Sequence, residues 1–560
     1  MTGGGISGGG SGAGGSGVLA RGRFDKYRQP ERLRTAWRRA GLIDDSVVGE
    51  RLIARLDQFP DRTAIVDGAV RVTNRGLRRR ANALAAAFRD AGIGPGDVVA
   101  WQIPNWWEAA VVALATWQVG AVNNPIVMIY REHELRQILS ELRPAAVVTP
   151  VRFRGHPHTA LLDTVLDGLG TPQPRLRLAV RGTASGWTEL GPLLERPAPD
   201  VRVPAVVTAE DPCVVAYTSG TTARAKGVVV DSVGLLAETR QMRETWGVSW
   251  RDVSFMPAPF AHLTGLIVGF TMPVTAGAPV VLQDVWDAGR AVRLIEEEGC
   301  TISSGTPIFL QEILAAYEAA GMTRSSLRGY SVGGAATDPG LIDRAERIGL
   351  HAWRCYGSTE HMSTTIANAT TPIAVRRDTD GPVGPGSEVS VVDASGVPLG
   401  PGRDGLIRVR GPERMLGYVN EDDNAAALDP AEGWFVTGDV GRVDEDGNVV
   451  ITGRVKDIVN RGGEKFSTRE IEEAVLAHPG VLHVAVVPGP DERYGEVPVA
   501  FYVVRADSEP PGAEELVEFV RARGLARQKV PVAWFALDEL PTTAFGKIRK
   551  QELVARIPRR

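Results

Sequence analysis

Between Tyr217 and Asp231 the sequence reads YTSGTTARAKGVVVD. Thr218, Ser219, Thr221 and Thr222 set four hydroxyls within five positions around Gly220, and Lys226 follows. Hydroxyl donors, backbone N–H groups reachable past a glycine and one mobile cation make a cradle for phosphate oxygens. The residue order excludes a Walker A loop, G-x-x-x-x-G-K-[ST]. Lys226 precedes Gly227, and a valine run stands where that motif's helix would begin. VVAYTS ahead of the loop reads as a buried strand, so the hydroxyls leave a strand end, where α/β proteins place ligands. Taken alone, the stretch reads equally well as a solvated Ser/Thr turn.

Other blocks extend it. Tyr356-Gly-Ser-Thr-Glu360 follows a predicted strand and offers a ring to stack on adenine and a carboxylate for Mg²⁺. Gly433-Trp-Phe-Val-Thr-Gly-Asp439 supplies a carboxylate suited to a vicinal diol such as ribose. Gly453-Arg-Val-Lys-Asp457 stands at a predicted domain junction, and Pro541-Thr-Thr-Ala-Phe-Gly-Lys547 puts a lysine on a late loop.

In this order, the blocks resemble those of the adenylate-forming superfamily: acyl- and aryl-CoA ligases, luciferases and nonribosomal adenylation domains. The resemblance runs from about residue 50 to 555. It implies that Thr218, Ser219, Gly220, Thr221, Thr222 and Lys226 hold the β- and γ-phosphates of ATP. Gly333, Gly334 and Ala335 would line the nucleotide and acyl pocket, Tyr356 and Gly357 the adenine site. Thr359 would meet the α-phosphate, Glu360 with Thr218 would hold Mg²⁺, and Asp439 with Arg454 would hold the ribose. Lys456 is implied as the hinge and Lys547 as the catalytic lysine. His262, in PFAHLTG, matches the position between the ATP and acid sites; read singly it is a core histidine. Arg461-Gly-Gly-Glu464 is similar to the loop through which CoA ligases pass the pantetheine arm, which implicates Gly462, Gly463 and Glu464.

The activity so implied is ATP-dependent conversion of an acid to its adenylate with release of pyrophosphate, then transfer to CoA. Medium-chain or cyclic carboxylic acids are the expected substrates. A carrier-protein thiol or an amine is the alternative acceptor, nitrite an alternative acid, and a non-catalytic nucleotide-binding relative the reading of another class. Two departures from the family pattern stand in the phosphate loop, Ala223 and Ala225 in place of glycine and proline. An alanine forced to positive φ costs about 1–2 kcal/mol. Arg224 adds charge beside the triphosphate, and Phe545 replaces a small residue next to Lys547.

The elements that must position these groups follow an α/β rhythm. TAIVDG, DVVAWQI and AAVVTP read as strands, LRRRANALAAAFRDAG and WWEAAVVALATWQVG as helices, the pattern of parallel strands covered on both faces. RFDKYRQPERLRTAWRRAGL reads as a packed amphipathic helix. Past about residue 385, Asp-Gly and Ser-Gly turns mark hairpins in a β-rich subdomain. Ser467-Thr-Arg-Glu470 reads as a capping box opening a small α+β unit. The expected class is α/β, with doubly wound sheets and a β-rich subdomain in a large N-terminal domain. The expected boundaries are a Gly/Ser tail at 1–22, an ATP- and acid-binding domain at 23–455 and a mobile α+β domain at 456–560.

Bulk properties narrow the partners. With 560 residues, 43% hydrophobic and a net charge of −4, the chain is an ordinary globular protein with no basic excess for nucleic acid. Three cysteines without C-x-x-C spacing suit a reducing cytoplasm. LIVGFTMPVTAGAPVVL (266–282) is too short and too proline-broken to span a membrane and reads as core. His156 and His158 read as surface residues, Cys355 as filler, and His361 and Met362 as part of the acid pocket wall, with Met362 equally readable as packing filler. A homodimer is left open.

Overall fold

The computed structural model describes residues 19, 21–170, 172–218, 224–335, 337–461, 464–506, 508–542 and 548–558. The tail at 1–18 lies outside them. Among the described residues, two large sheets dominate. One has seven strands, in the order His351–Arg354, Gly329–Val332, Ile302–Gly305, Ser254–Met256, Val280–Leu282, Thr63–Asp67 and Val70–Thr73. The other has eight, in the order Gly417–Tyr418, Lys226–Asp231, Pro212–Thr218, Val122–Pro125, Val98–Trp101, Ala146–Pro150, Leu176–Val180 and Thr188–Glu189. The central pairings are parallel. Strands such as Val98–Trp101 and Ala146–Pro150 are buried at every position, as parallel strands covered on both faces must be.

The helix Trp107–Gln118 joins the two sheets. Every residue from Glu108 to Gln118 is buried. Trp117 donates its indole N–H to the Cys213 carbonyl at 3.0 Å and stacks against Phe270, ring centres 6.3 Å apart. Truncating a buried tryptophan of this kind costs about 3–5 kcal/mol. Phe270 belongs to the 266–282 stretch. There the helix Leu263–Leu266 runs into a π-helical segment, Ile267–Thr271, and then Met272–Ala276, all buried or nearly so. No helix among the described residues is long and apolar enough to cross a membrane.

A third sheet pairs Glu388–Val392, Gly405–Arg410, Trp434–Val443, Leu428–Asp429 and Val449–Arg454, all antiparallel. These are the hairpins expected past residue 385. A fourth sheet pairs Glu464–Ser467, Ile458–Arg461, Gly495–Val504, Val481–Asp491 and Ala533–Ala536. Its strands alternate faces at period two. Val484, Val486, Ala500 and Tyr502 pack with Ile471, Leu516 and Val520 on one side. Ala485, Val487, Val499 and Phe501 pack with Leu540 and Leu553 on the other.

Three local expectations need correction. The basic stretch near residue 23 is not one helix: a 3-10 turn, Asp25–Tyr27, is separated from the helix Glu31–Arg39 by Pro30, which has no N–H to continue the ladder. Ser467 does cap its helix, accepting from the Arg469 N–H, but the Glu470 carboxylate pairs with Lys529 Nζ at 2.6 Å. His158 is buried, 1% exposed, and sets Nδ1 3.2 Å from Gln102 Oε1. It opens the helix His158–Asp167, whose first turn packs inward; only His156 is exposed.

Candidate active site

The strands Pro212–Thr218 and Lys226–Asp231 form an antiparallel hairpin in which Thr218 faces Lys226. The lysine therefore returns on a strand, not a helix, at the mouth of the loop, while Ser219, Gly220, Thr221, Thr222 and Ala223 lie outside the described residues. Gln137 Nε2 donates to the Ala225 carbonyl at 2.7 Å, and Tyr217 donates its hydroxyl to Glu141 at 2.7 Å, so the helix Glu132–Leu142 braces the hairpin. Lys226 Nζ lies 3.0 Å from Asp423 Oδ1 and 4.7 Å from the Tyr418 ring centre. Arg224 Nη2 reaches the other oxygen of Asp423, also at 3.0 Å. Tyr418 in turn donates to Glu360 Oε1 at 2.9 Å. The Lys226 ammonium and the carboxylate of the Tyr356–Glu360 block are thus two contacts apart.

Beyond the strand His351–Arg354 the chain makes a tight turn. Tyr356 N donates to Thr365 Oγ1 at 2.7 Å, and Ser358 Oγ accepts from the N–H groups of Glu360 and His361. Gly357 is required here, since a Cβ would overlap the Met362 carbonyl. Thr359 sits half-buried on the same turn. Tyr356 donates its hydroxyl to Asp439 Oδ2 at 2.6 Å, while Arg454 Nε donates to Oδ1 at 2.5 Å. Asp439 and Arg454 are cross-strand partners, and Asp439 is 3% exposed. Burial and the neighbouring carboxylate push the Tyr356 phenol well up; desolvation opposes but Asp439 prevails in raising the Arg454 guanidinium. Three residues from separate blocks therefore meet.

Gly333, Gly334 and Ala335 follow the strand Gly329–Val332 alongside Cys355. Gly333 N–H donates to the Gly305 carbonyl, and a Cβ on Gly333 would come 2.6 Å from Cys355 Sγ. Gly334 has φ +81°, which only glycine adopts without strain. Cys355 remains a thiol, its pKa pushed up to about 11 by burial, with Sγ 3.2 Å from Ser331 Oγ. His262 precedes the helix Leu263–Leu266, and burial lowers its pKa to about 4, so the imidazole is neutral at pH 7. His361 turns instead to Thr364 Oγ1 at 2.9 Å and Glu413 Oε1 at 3.3 Å and is 1% exposed. It braces the turn from behind; Met362 is packed in the core.

Of the C-terminal candidates, Lys547, Gly462 and Gly463 lie outside the described residues, and Lys456 and Glu464 are described only by their backbone. Lys456 falls in the 3-10 turn Val455–Asp457, and Glu464 pairs with Arg461. Thr542 and Ile548, which flank Lys547 in sequence, pair as an antiparallel bridge. Two residues past Lys547, Arg549 is near enough to Tyr130 to oppose the burial that pushes that phenol up to about 12. Tyr130 lies just ahead of the helix Glu132–Leu142, which braces the Thr218–Lys226 hairpin. Among the described residues no group of three or more His, Cys, Asp or Glu is placed to hold a metal. Glu360 offers a single carboxylate, which suits Mg²⁺, an ion that keeps waters and takes most of its ligands from substrate phosphates.

Comparison with known proteins decides the family. The profile for AMP-binding enzymes matches residues 52–419, and that for the AMP-binding enzyme C-terminal domain matches residues 470–547. The chain belongs to the AMP-binding enzyme family. A medium-chain fatty-acid–CoA ligase of Escherichia coli (strain K12) is 33% identical over 95% of this chain and 94% of its own. A salicylyl-CoA synthase / salicylate adenylyltransferase of a Streptomyces species is 33% identical over 94% of this chain and 96% of its own. The crystal structure of ATP-bound MatB from Rhodopseudomonas palustris superposes with a TM-score of 0.79 at 27% identity, covering 90% of this chain and 98% of that one. This AMP-binding enzyme is an AMP-forming ligase with the two-part α/β architecture of its relatives.

Sequence reading missed the Asp423 and Tyr418 contacts, the Glu413–His361 brace, and Asp380 with Arg469. Asp423, Glu413 and Asp380 belong to none of the blocks singled out above; Tyr418 alone carried a signal, in the aromatic of LGYVN beside the hairpin strand.

Proposed function

We propose that this AMP-binding enzyme joins a medium-chain or cyclic carboxylic acid to CoA through an acyl-adenylate, with a large domain at 23–455 and a mobile one at 456–560. The meeting of Tyr356, Asp439 and Arg454 beside the Glu360–Tyr418–Lys226 chain carries this reading. A carboxylate has about four acceptor positions, and Tyr356 and Arg454 occupy two on Asp439, leaving the others for the ribose hydroxyls. Adenine lies against Tyr356, and the triphosphate runs toward Thr218, Lys226 and the hydroxyl loop.

The acid is ionised at pH 7 and needs no general base. Its oxygen attacks the α-phosphorus, the bond from that phosphorus to the bridging oxygen breaks, and pyrophosphate leaves with the electron pair. Lys547 bridges the attacking carboxylate and an α-phosphate oxygen as charge builds. Glu360 and Thr218 would hold Mg²⁺, which when bound neutralises phosphate charge. Neutral His262 closes the acid pocket without setting a second cation beside the adenylate. The CoA sulfur then attacks the acyl carbonyl, with AMP as leaving group, after Lys456 has turned the small domain to present Gly462, Gly463 and Glu464.

The test is AMP and pyrophosphate release over a panel of straight-chain, alicyclic and aryl acids, with CoA, with an amine, or with neither. CoA-dependent thioester with medium-chain or cyclic acids is expected. Turnover that needs the amine and ignores CoA would overturn the acceptor; no release with any acid would overturn the activity.

A further inference from the structure

Asp380 is buried where the large and small domains touch. Arg354, on the strand that leads into the Tyr356 turn, donates to Asp380 Oδ1 from Nη2 at 2.8 Å and from Nε at 3.2 Å. Ile451 N–H donates to Oδ2 at 2.8 Å. A second cation comes from the other domain: Arg469 Nη2 lies 3.6 Å from Asp380 Oδ1. The side chains of Asp380, Arg354 and Arg469 are 8%, 6% and 13% exposed. Arg469 is the second residue of the helix Thr468–Leu476, whose N-cap Ser467 presses so closely on Gly453 that a Cβ there would overlap its hydroxyl.

The same helix holds the C-terminal helix Lys550–Ala555. Lys550 Nζ, three residues past Lys547, lies 2.8 Å from Glu472 Oε1 and 2.8 Å from Thr468 Oγ1. A chain of contacts therefore runs from Asp380 through Arg469 and one helix to Lys550, whose neighbour Arg549 bears electrostatically on Tyr130. We propose that Asp380 and Arg469 form a releasable latch, with Arg469 a positioning residue that holds the small domain in its adenylating orientation. The proposal rests on the acyl-adenylate reading and on the domain turn that reading includes.

The fallback partners distinguish a latch from permanent glue. Breaking a buried ion pair is costly when it strands a charge. Neither charge is stranded here. Once Arg469 leaves, Asp380 keeps Arg354 and the Ile451 N–H. Arg469 keeps Glu473 Oε1, 3.0 Å away and one turn along its own helix. The pair is therefore worth enough to bias an orientation and cheap enough to break in each turnover.

The test uses the full chain and separates the two half-reactions. In Arg469→Gln, acid-dependent ATP–pyrophosphate exchange should fall about tenfold, the size of an ordinary coupling between sites. Conversion of supplied acyl-adenylate and CoA to thioester should hold or rise. Arg469→Lys should recover part of the exchange. Arg469→Met keeps the packed stem and should repeat the split if the glutamine variant folds poorly. Equal loss in both half-reactions, or no loss in either, overturns the latch. A parent enzyme that shows no exchange at all overturns instead the activity on which the latch rests.

Discussion

At the adenosine end of the cleft, Asp439 is buried and held from two sides, by Tyr356 and by its cross-strand partner Arg454. At the phosphate end, Lys226 and Arg224 share the single carboxylate of Asp423, with side chains 29% and 46% exposed. The first arrangement is finished before a ligand arrives. The second is a set of partly exposed charges sharing one carboxylate, which on the proposed reading stands in for phosphate oxygens. On the proposed reading, adenosine keeps its contacts through both steps of the reaction, whereas pyrophosphate is bound and then let go. Fixed geometry suits the first task and exchangeable partners the second.

That contrast can be broken from either end. The largest effect is expected from Asp439→Ala. Loss of the two hydrogen bonds proposed to the ribose hydroxyls, at about 1.5 kcal/mol each, lowers kcat/KM for ATP about 100-fold. A change under about fivefold would mean that Asp439 only ties strands together. At the phosphate end two variants should move in opposite directions. Lys226→Ala should raise KM for ATP about tenfold. Asp423→Asn, which frees both cations, should lower KM for ATP and for pyrophosphate a few-fold, a modest figure because these side chains are partly solvated. Weaker ATP binding in Asp423→Asn would show that Asp423 serves the nucleotide directly.

Legibility in the sequence divides along a similar line. Groups announced by glycine, hydroxyl or aromatic neighbours in short blocks, such as Tyr356, Asp439 and Thr218, can be read, and so can the hairpins with Asp-Gly turns. Strand burial is legible because a continuous apolar run has no polar face to turn to water on either side of the sheet. Pairs made by distant residues are not: Arg224 and Asp423 are 199 positions apart, and Asp380 and Arg469 have no shared motif. A charged residue in a strand or helix looks the same in sequence whether it meets water or a partner from another domain. His158 defeats a sequence reading for that reason, since a histidine beside a proline in a polar stretch carries no sign of the core beneath it.

His158 also gives the smallest prediction. Its folded pKa is about 4, lowered by burial, against about 6.5 when unfolded. Between those values the unfolded chain binds the extra proton, so this residue makes stability fall as pH drops from about 6.5 to about 4. Buried Glu413, pushed up to about 8, contributes the opposite slope, so the sign must be read as a difference between variants. Thermal melts at pH 7 and pH 5 should show a smaller Tm drop in His158→Gln than in the parent. An unchanged drop would mean that His158 titrates normally.

The most direct measurement follows oxygen. An accepted acid labelled with ¹⁸O in its carboxylate is turned over with ATP and CoA, and the products are weighed by mass spectrometry. Attack on the α-phosphorus predicts one ¹⁸O in AMP and none in pyrophosphate. Label in inorganic phosphate, with ADP in place of AMP, would contradict adenylate formation and the nucleotide placement argued from Tyr356, Asp439 and Lys226.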